Sequence, residues 1–540
     1  MTDGATLRVR ESITKMQNEW AQGNKKPLDD LMRAWKGIKD LPADNRNSFV
    51  VIGGYHGEPF RGAGWGNSSY WGGYCNHGNV LFPTWHRAYL LRLEDALRSI
   101  PGCENVTLPF WDECSPDSLA NGIPWALTQE KYTFETGEEI DNPLRSFTFP
   151  RKIVDHLTTD STDDNEDPNN PSYTKPKGYI TVRYPLSGIV GTKKERAATK
   201  EHNDKYGYHE DGSYDPGAYE TCVKELNKNV VAWLTSSIIV NGQIIPTNVH
   251  KKYEDCLNAP NYTVFSNTTS AAEWNGLLED GAPPIVPLEA PHNSIHLAVG
   301  GFDTPNYDRA PIPGANGDMG ENDTAGLDPI FFFHHCFVDR VFWLWQKRHG
   351  CTEQLKIKAG YPGTNSVDSQ GPTPGTAPNS WLTLESPLDP FLIMEGGKER
   401  ACTSNDCVNI EKLGYTYGAG SFESQPALMA QGQGERTRRV HPQGISRSHI
   451  RGSFLISLVG EIDGNKRVLG TEAVLSRWHV DGCANCQTHL LARPVFSLHG
   501  LGEEALPKSA ISVEVHTRDE HQRTPALMAL AAKPLNFDVR

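Results

Sequence analysis

Three sets of histidines are the residues whose type and spacing could do chemistry. His292 and His296, in the run HNSIH, stand four apart, which on a helix puts both imidazoles on one face. A zinc protease would need a glutamate directly after the first of them as general base, and Asn293 stands there instead. His334 and His335 are adjacent within LDPIFFFHHCFVDRVFWLWQKRH, where a buried imidazole needs a polar partner. Adjacent residues on a helix point to different sides, so at most one of the two faces the HNSIH pair. His56, His77 and His86 make the third set, with His77 two residues after Cys75 and His86 opening a helix in PTWHRAYLLRLE. Taken singly, each set has a bland reading: surface or capping histidines for HNSIH, and a core histidine on a backbone carbonyl for HH. Taken together, three imidazoles from each half make a candidate binuclear metal site. All-imidazole ligation suits copper or zinc rather than calcium or magnesium. The carboxylates of a di-iron bundle are missing from these positions.

The elements that must position these residues are mainly helical. Apolar spacing predicts helices over 7–20, 27–41 (opened by Pro27), 84–100 and 220–236, with another helical region starting near Pro291. Residues 327–349 read as a buried helix. Between them, 51–74 is an irregular loop rich in glycine and aromatics, 158–176 an acidic surface insertion, and 360–380 a Pro/Gly loop. The polar stretch 418–446, with Arg436, Arg438 and Arg439, reads as an exposed linker. After it the pattern shifts to short strands at 453–459, 467–469, 495–498 and 510–516. The expected fold is a mainly α core with long loops followed by a small β-rich C-terminal domain.

Composition narrows the partners. The 540 residues hold 52 Lys and Arg against 66 Asp and Glu, a net charge of −14, which disfavours nucleic acid or an anionic membrane. No run approaches the ~18 unbroken apolar residues of a membrane span. The polar start MTDGATLRVRESITK has no apolar signal core, so the expected location is the cytoplasm. Eleven cysteines, an odd number thinly spread, do not suggest a disulfide framework, and the N-x-S/T sequons carry little weight without a signal peptide.

The runs CNHGNVLFPTWHRAYLLRLE, PHNSIH and DPIFFFHHCFVDRVFWLWQ together resemble the type 3 copper family: tyrosinases, catechol oxidases and molluscan haemocyanins. The likeness spans roughly residues 7–417, and it implies a four-helix-bundle site. Carried over residue by residue, it implies one copper held by His56, His77 and His86 and the other by His292, His296 and His335. His335 is preferred because members with one histidine here keep it at the second place, leaving His334 beside the ligands. The resemblance also implies a thioether between Cys75 and the His77 ring, a structural pairing role for Asp339, and an aromatic near the substrate ring in Phe331. Glu289 and Asn293 resemble the pair that holds a water for deprotonating a monophenol, although a helix cap would equally explain Glu289. The implied reaction uses O2 to o-hydroxylate monophenols and to oxidise o-diphenols to o-quinones, with small phenols as substrates. The alternative is a catechol oxidase or o-aminophenol oxidase without monophenolase activity. An oxygen carrier is a different class, disfavoured here because carriers are built into very large assemblies.

Tyr415-Thr-Tyr417 resembles the signature that closes a tyrosinase core, packing near an N-terminal arginine such as Arg10. The expected organisation is therefore a catalytic domain over 1–417, an exposed linker with a basic cleavage site over 418–446, and a shielding domain over 447–540. This resembles a long pro-tyrosinase, made latent by a side chain laid over the copper pocket. Trp478 is the blocking candidate among Phe454, Trp478 and Phe496. Cys483 and Cys486, in CANC, match a C-x-x-C proposed in some such domains to deliver copper, and two soft thiolates suit Cu(I). Assembly into a homo-oligomer is left open.

Overall fold

The computed structural model describes residues 7–57, 73–153, 175–188, 193–240, 242–279, 282, 284–302, 311–365, 380–423, 439–450, 452–462, 464–477, 490–498, 510–516 and 537–539. Trp478, Cys483, Cys486, Arg436 and Arg438 lie outside these residues. Twelve helices fall within them: α1 Ile13–Ala21, α2 Lys26–Asp40, α3 Phe49–Gly54, α4 Phe82–Arg98, α5 Pro116–Asn121 and α6 Lys193–Lys205, then α7 Ala218–Thr235, α8 Val249–Cys256, α9 Tyr262–Ser266, α10 Thr268–Leu277, α11 Glu289–Gly300 and α12 Ile330–Arg348. Among the described residues no helix is long and apolar enough to cross a membrane.

Two of the helices that carry the histidines, α11 and α12, are long and deeply buried. Every residue of α11 is buried, and so is α12 from Ile330 to Trp343, the all-round burial of a central core helix. Phe82-Pro83 starts α4, where proline's missing N–H costs nothing. Ser48 caps α3 by accepting from Val51 N, which turns the chain into the short helix ahead of His56.

The amino terminus differs from its predicted helix. Arg8–Arg10 is a strand pairing in parallel with Tyr415–Tyr417, and α1 begins only after Ser12, whose side chain accepts from Lys15 N. Apolar spacing alone could not separate the two, because the strand's partner lies about 400 residues away. The 158–176 insertion also ends differently: Lys175 is buried and paired with Asp318 at 2.9 Å.

The C-terminal part is β-rich. Phe454–Ile462 pairs with Asn465–Val474 on one side and Ile511–His516 on the other, all antiparallel. A second sheet places Arg439–Pro442 between Phe496–Ser497 and Phe537–Val539. The stretch expected as an exposed linker to residue 446 thus ends in sheet at Arg439. That side chain is buried, and it donates to the carbonyls of Leu278 at 2.8 Å and Glu279 at 2.6 Å. Leu455, Ala473 and Leu475 belong to the main apolar core, so the β-rich unit shares the core of the helical body.

Candidate metal centre

His56 follows α3, His77 sits in the turn before α4, and His86 is in the first turn and a half of α4. Their candidate ligand atoms lie within 4.8 Å of one another, and the Nε2 of each is buried with no hydrogen-bond partner. The opposite ring nitrogen is engaged in two of them: His56 Nδ1 donates to Asn322 O at 3.2 Å and His86 Nδ1 to Phe82 O at 2.8 Å. Such bonds fix the tautomer, so the Nε2 lone pair is free to ligate.

The second group is tighter. The Nε2 atoms of His292, His296 and His335 are 3.1, 3.2 and 3.4 Å apart. A triangle with these edges has its centre about 1.9 Å from each nitrogen, close to the ~2.0–2.1 Å of a metal–imidazole bond. His296 Nδ1 donates to Met319 O at 2.8 Å and His292 Nδ1 to Asn293 Oδ1 at 2.9 Å, which leaves both Nε2 atoms as acceptors facing acceptors. Burial, then neighbouring imidazoles, pushes all three well below the usual histidine pKa, so the rings are neutral. The two groups face each other, with His86 and His335 stacked at 4.5 Å between ring centroids. Buried, uncharged and unsatisfied nitrogen lone pairs converging in two sets fit two borderline metal ions.

His334 lies one step round α12, with Nδ1 at 2.5 Å from Glu113 Oε1. Glu113 is wholly buried and its carboxyl is held well above the usual range by burial. Nothing in WDEC marks it in the sequence. Phe331 stacks on His335 at 3.9 Å and meets His56 edge-on at 4.7 Å, a rigid wall between the groups. Asp339 accepts from Arg87 Nε at 2.6 Å and from the hydroxyls of Tyr415 and Tyr417 at 2.7 and 2.6 Å, away from the metal positions. Arg10 lies over the Tyr415 ring at 3.8 Å.

Cys75 is buried, and its sulfur accepts from Arg477 Nη2 at 2.8 Å. Glu289 is buried with both oxygens engaged: Oε1 accepts from Gly78 N at 2.8 Å, and Oε2 from Thr268 N at 2.8 Å and Thr268 Oγ1 at 2.9 Å. Burial raises its carboxyl above the usual range. Beside it, Ala290 and Asn293 line a cavity of about 420 Å³ whose far wall comes from the β-rich unit, including Arg447, Val474 and Phe496.

Two facing groups of buried histidines in a helical core form a candidate binuclear metal centre. The common central domain of tyrosinase matches residues 46–348. The chain is 48% identical to a tyrosinase of Hahella sp. (strain CCB-MM4), over 97% of this chain and 94% of that one. It is 44% identical to a tyrosinase of Aspergillus oryzae, over 92% and 91% of the two chains. The solved structure of a tyrosinase from Burkholderia thailandensis superposes with a TM-score of 0.78 at 44% identity, covering 99% of this chain and all of that one. The chain belongs to the tyrosinase family, the copper-dependent oxidases of phenols.

Proposed function

We propose that His56, His77 and His86 hold one copper and His292, His296 and His335 the other, and that the chain is a latent enzyme acting on both monophenols and o-diphenols. The observation that carries the ligand set is the convergence of three Nε2 atoms at 3.1–3.4 Å opposite a second group of three unpartnered ones. When bound, the copper pair supplies the two-electron exchange between O2 and the phenol.

The side chains do the remainder. Asn293 accepts the Nδ1 proton of His292, which keeps that ring's Nε2 as a donor of electrons to metal. Its amide NH2 is left to hold a water or a phenol oxygen at the cavity wall. Phe331, buried against His335 and His56, holds those rings apart and keeps water from them, and is the aromatic nearest to where a substrate ring would meet the metals. A monophenol with a pKa near 10 must lose its proton at neutral pH, and a water between Asn293 and the basic, buried carboxylate of Glu289 is the group to take it.

The bonds of Glu289 favour a second role, bracing the turn that carries His77 against α11 and α10. Glu289→Gln separates the two. A fall in monophenol oxidation well beyond the fall with diphenol supports the water-holding role. An equal fall in both, with copper lost, supports the brace.

Latency is supported by the seat of the β-rich unit, whose 465–474 strand closes the cavity over Asn293. Cys75, two residues before His77, is proposed to form the thioether with that ring in the mature enzyme, the thiol and ring C–H hydrogens being lost in a two-electron oxidation for which O2 would be the acceptor. O2 uptake with a monophenol and then a diphenol, before and after limited trypsin, tests the whole reading. Uptake with both substrates, rising after cleavage, is expected. Uptake with diphenol alone moves the chain to the catechol oxidases, and an uncut chain as active as the cut one overturns latency.

A further inference from the structure

Arg477 lies three residues beyond the end of the 465–474 strand and is 1% exposed. Its guanidinium reaches across the fold into the chain around His56. Nη2 donates to the backbone oxygen of His56 at 3.1 Å and to Cys75 Sγ at 2.8 Å, and Nη1 pairs with Asp323 Oδ1 at 3.1 Å. The carbonyl of Ser476, one residue before, accepts from Asn322 N at 3.4 Å, and Asn322 O is the acceptor that orients the His56 ring. Both handles on His56, its ring and its carbonyl, therefore lead to the same two residues of the β-rich unit. Gly57 tightens the arrangement: a Cβ there would lie 2.0 Å from Asp323 O, so the backbone after His56 packs directly against Asp323. A planar fork of donors fits this three-cornered set in a way that a lysine's single ammonium does not.

We propose that Arg477 is a positioning residue for the first copper site. Seated, it fixes His56 and the Cys75 sulfur; withdrawn, it leaves the copper of His56, His77 and His86 more weakly held. The β-rich unit then secures one metal as well as covering the pocket, and its displacement on activation loosens that metal. The proposal rests on reading the two histidine groups as copper sites.

The test measures copper release from the full-length holoprotein to a Cu(I) chelator under reducing conditions, in the wild type, Arg477→Gln, Arg477→Lys and Arg439→Gln. Arg439→Gln removes buried hydrogen bonds of the same unit, to Leu278 and Glu279, while leaving Arg477 and its partners in place. In Arg477→Gln, one copper per chain is expected to leave about 10- to 100-fold faster while the other keeps its wild-type rate. Arg477→Lys should fall between, and both coppers of Arg439→Gln should leave at wild-type rates. Should Arg477→Gln fail to fold, a faster loss of one copper from Arg477→Lys serves the same end. Wild-type release rates in the Arg477 variants, or equal acceleration in Arg439→Gln, overturn the proposal. A wild-type chain that binds fewer than two coppers instead overturns the copper reading on which it rests.

Discussion

Behind the histidines, Asp339 ties together three parts of the chain that must stay in register. Its Oδ1 takes the Arg87 guanidinium of α4, one residue after His86, and its Oδ2 takes the hydroxyls of Tyr415 and Tyr417. Arg87 also donates to the carbonyls of Cys407 and Val408, and its charge is fully buried. Asp339→Asn is expected to cost about 3–5 kcal/mol, because it leaves a buried cation uncompensated and turns an NH2 toward existing donors. Urea denaturation of the variant checks this, and an unchanged midpoint would mean that the cluster is not a buried ion pair of this kind. The histidines themselves were legible, from residue type and from the likeness of their flanking runs. The choice between His334 and His335 rested on that likeness alone: His335 Nε2 lies within 3.4 Å of the His292 and His296 Nε2 atoms, while His334, in the same group of four buried histidines, turns Nδ1 to Glu113 and leaves Nε2 without a partner. Glu113, Asn322 and Arg477 left no trace in the sequence. Each acts on a histidine more than 200 residues away, and no local pattern encodes such a meeting.

Among the elements, α11 holds the second histidine group in place through a close approach at its carboxyl end. Gly317 N donates to Gly300 O at 2.5 Å, and a Cβ on Gly300 would lie 1.8 Å from Gly320 N. The 317–320 segment is also the one whose Met319 carbonyl orients the His296 ring. Gly300→Ala must therefore push that segment off the helix. The expected results are a destabilisation of about 1–3 kcal/mol, as for other overpacked sites, and a weaker second copper. Thermal denaturation and copper content measure the two effects separately, and full copper content in Gly300→Ala would show that His296 keeps its aim without Met319. α4 was legible from its apolar periodicity and α12 from its dense apolar run, because each pattern is dictated by the helix's own burial. The strands at Arg8–Arg10 and Arg439–Pro442 were not, because short strands are defined by partners distant in sequence.

At the scale of the whole molecule, the β-rich unit can be read either as a detachable cover or as part of one cooperative body. For the cover, the parallel pairing of Arg8–Arg10 with Tyr415–Tyr417 and the Asp339 cluster are complete by residue 423, before any strand of the β-rich unit begins. It also has an apolar cluster of its own, centred on Phe454, Ile456 and Leu458. For the single body, Leu455, Ala473 and Leu475 lie in the main core, and Arg439, Arg447 and Arg477 are all buried at its seat. A chain ending at residue 423 decides between them. The local closure of the helical body predicts that it unfolds cooperatively and oxidises diphenol without trypsin. It should also release one copper faster than the intact protein, because Arg477 is gone. Loss of the cooperative transition would instead mean that the three shared core side chains and the buried arginines are needed to complete the helical body. Cleavage would then have to leave the β-rich unit attached, with activation coming from a shift in its seat rather than its departure.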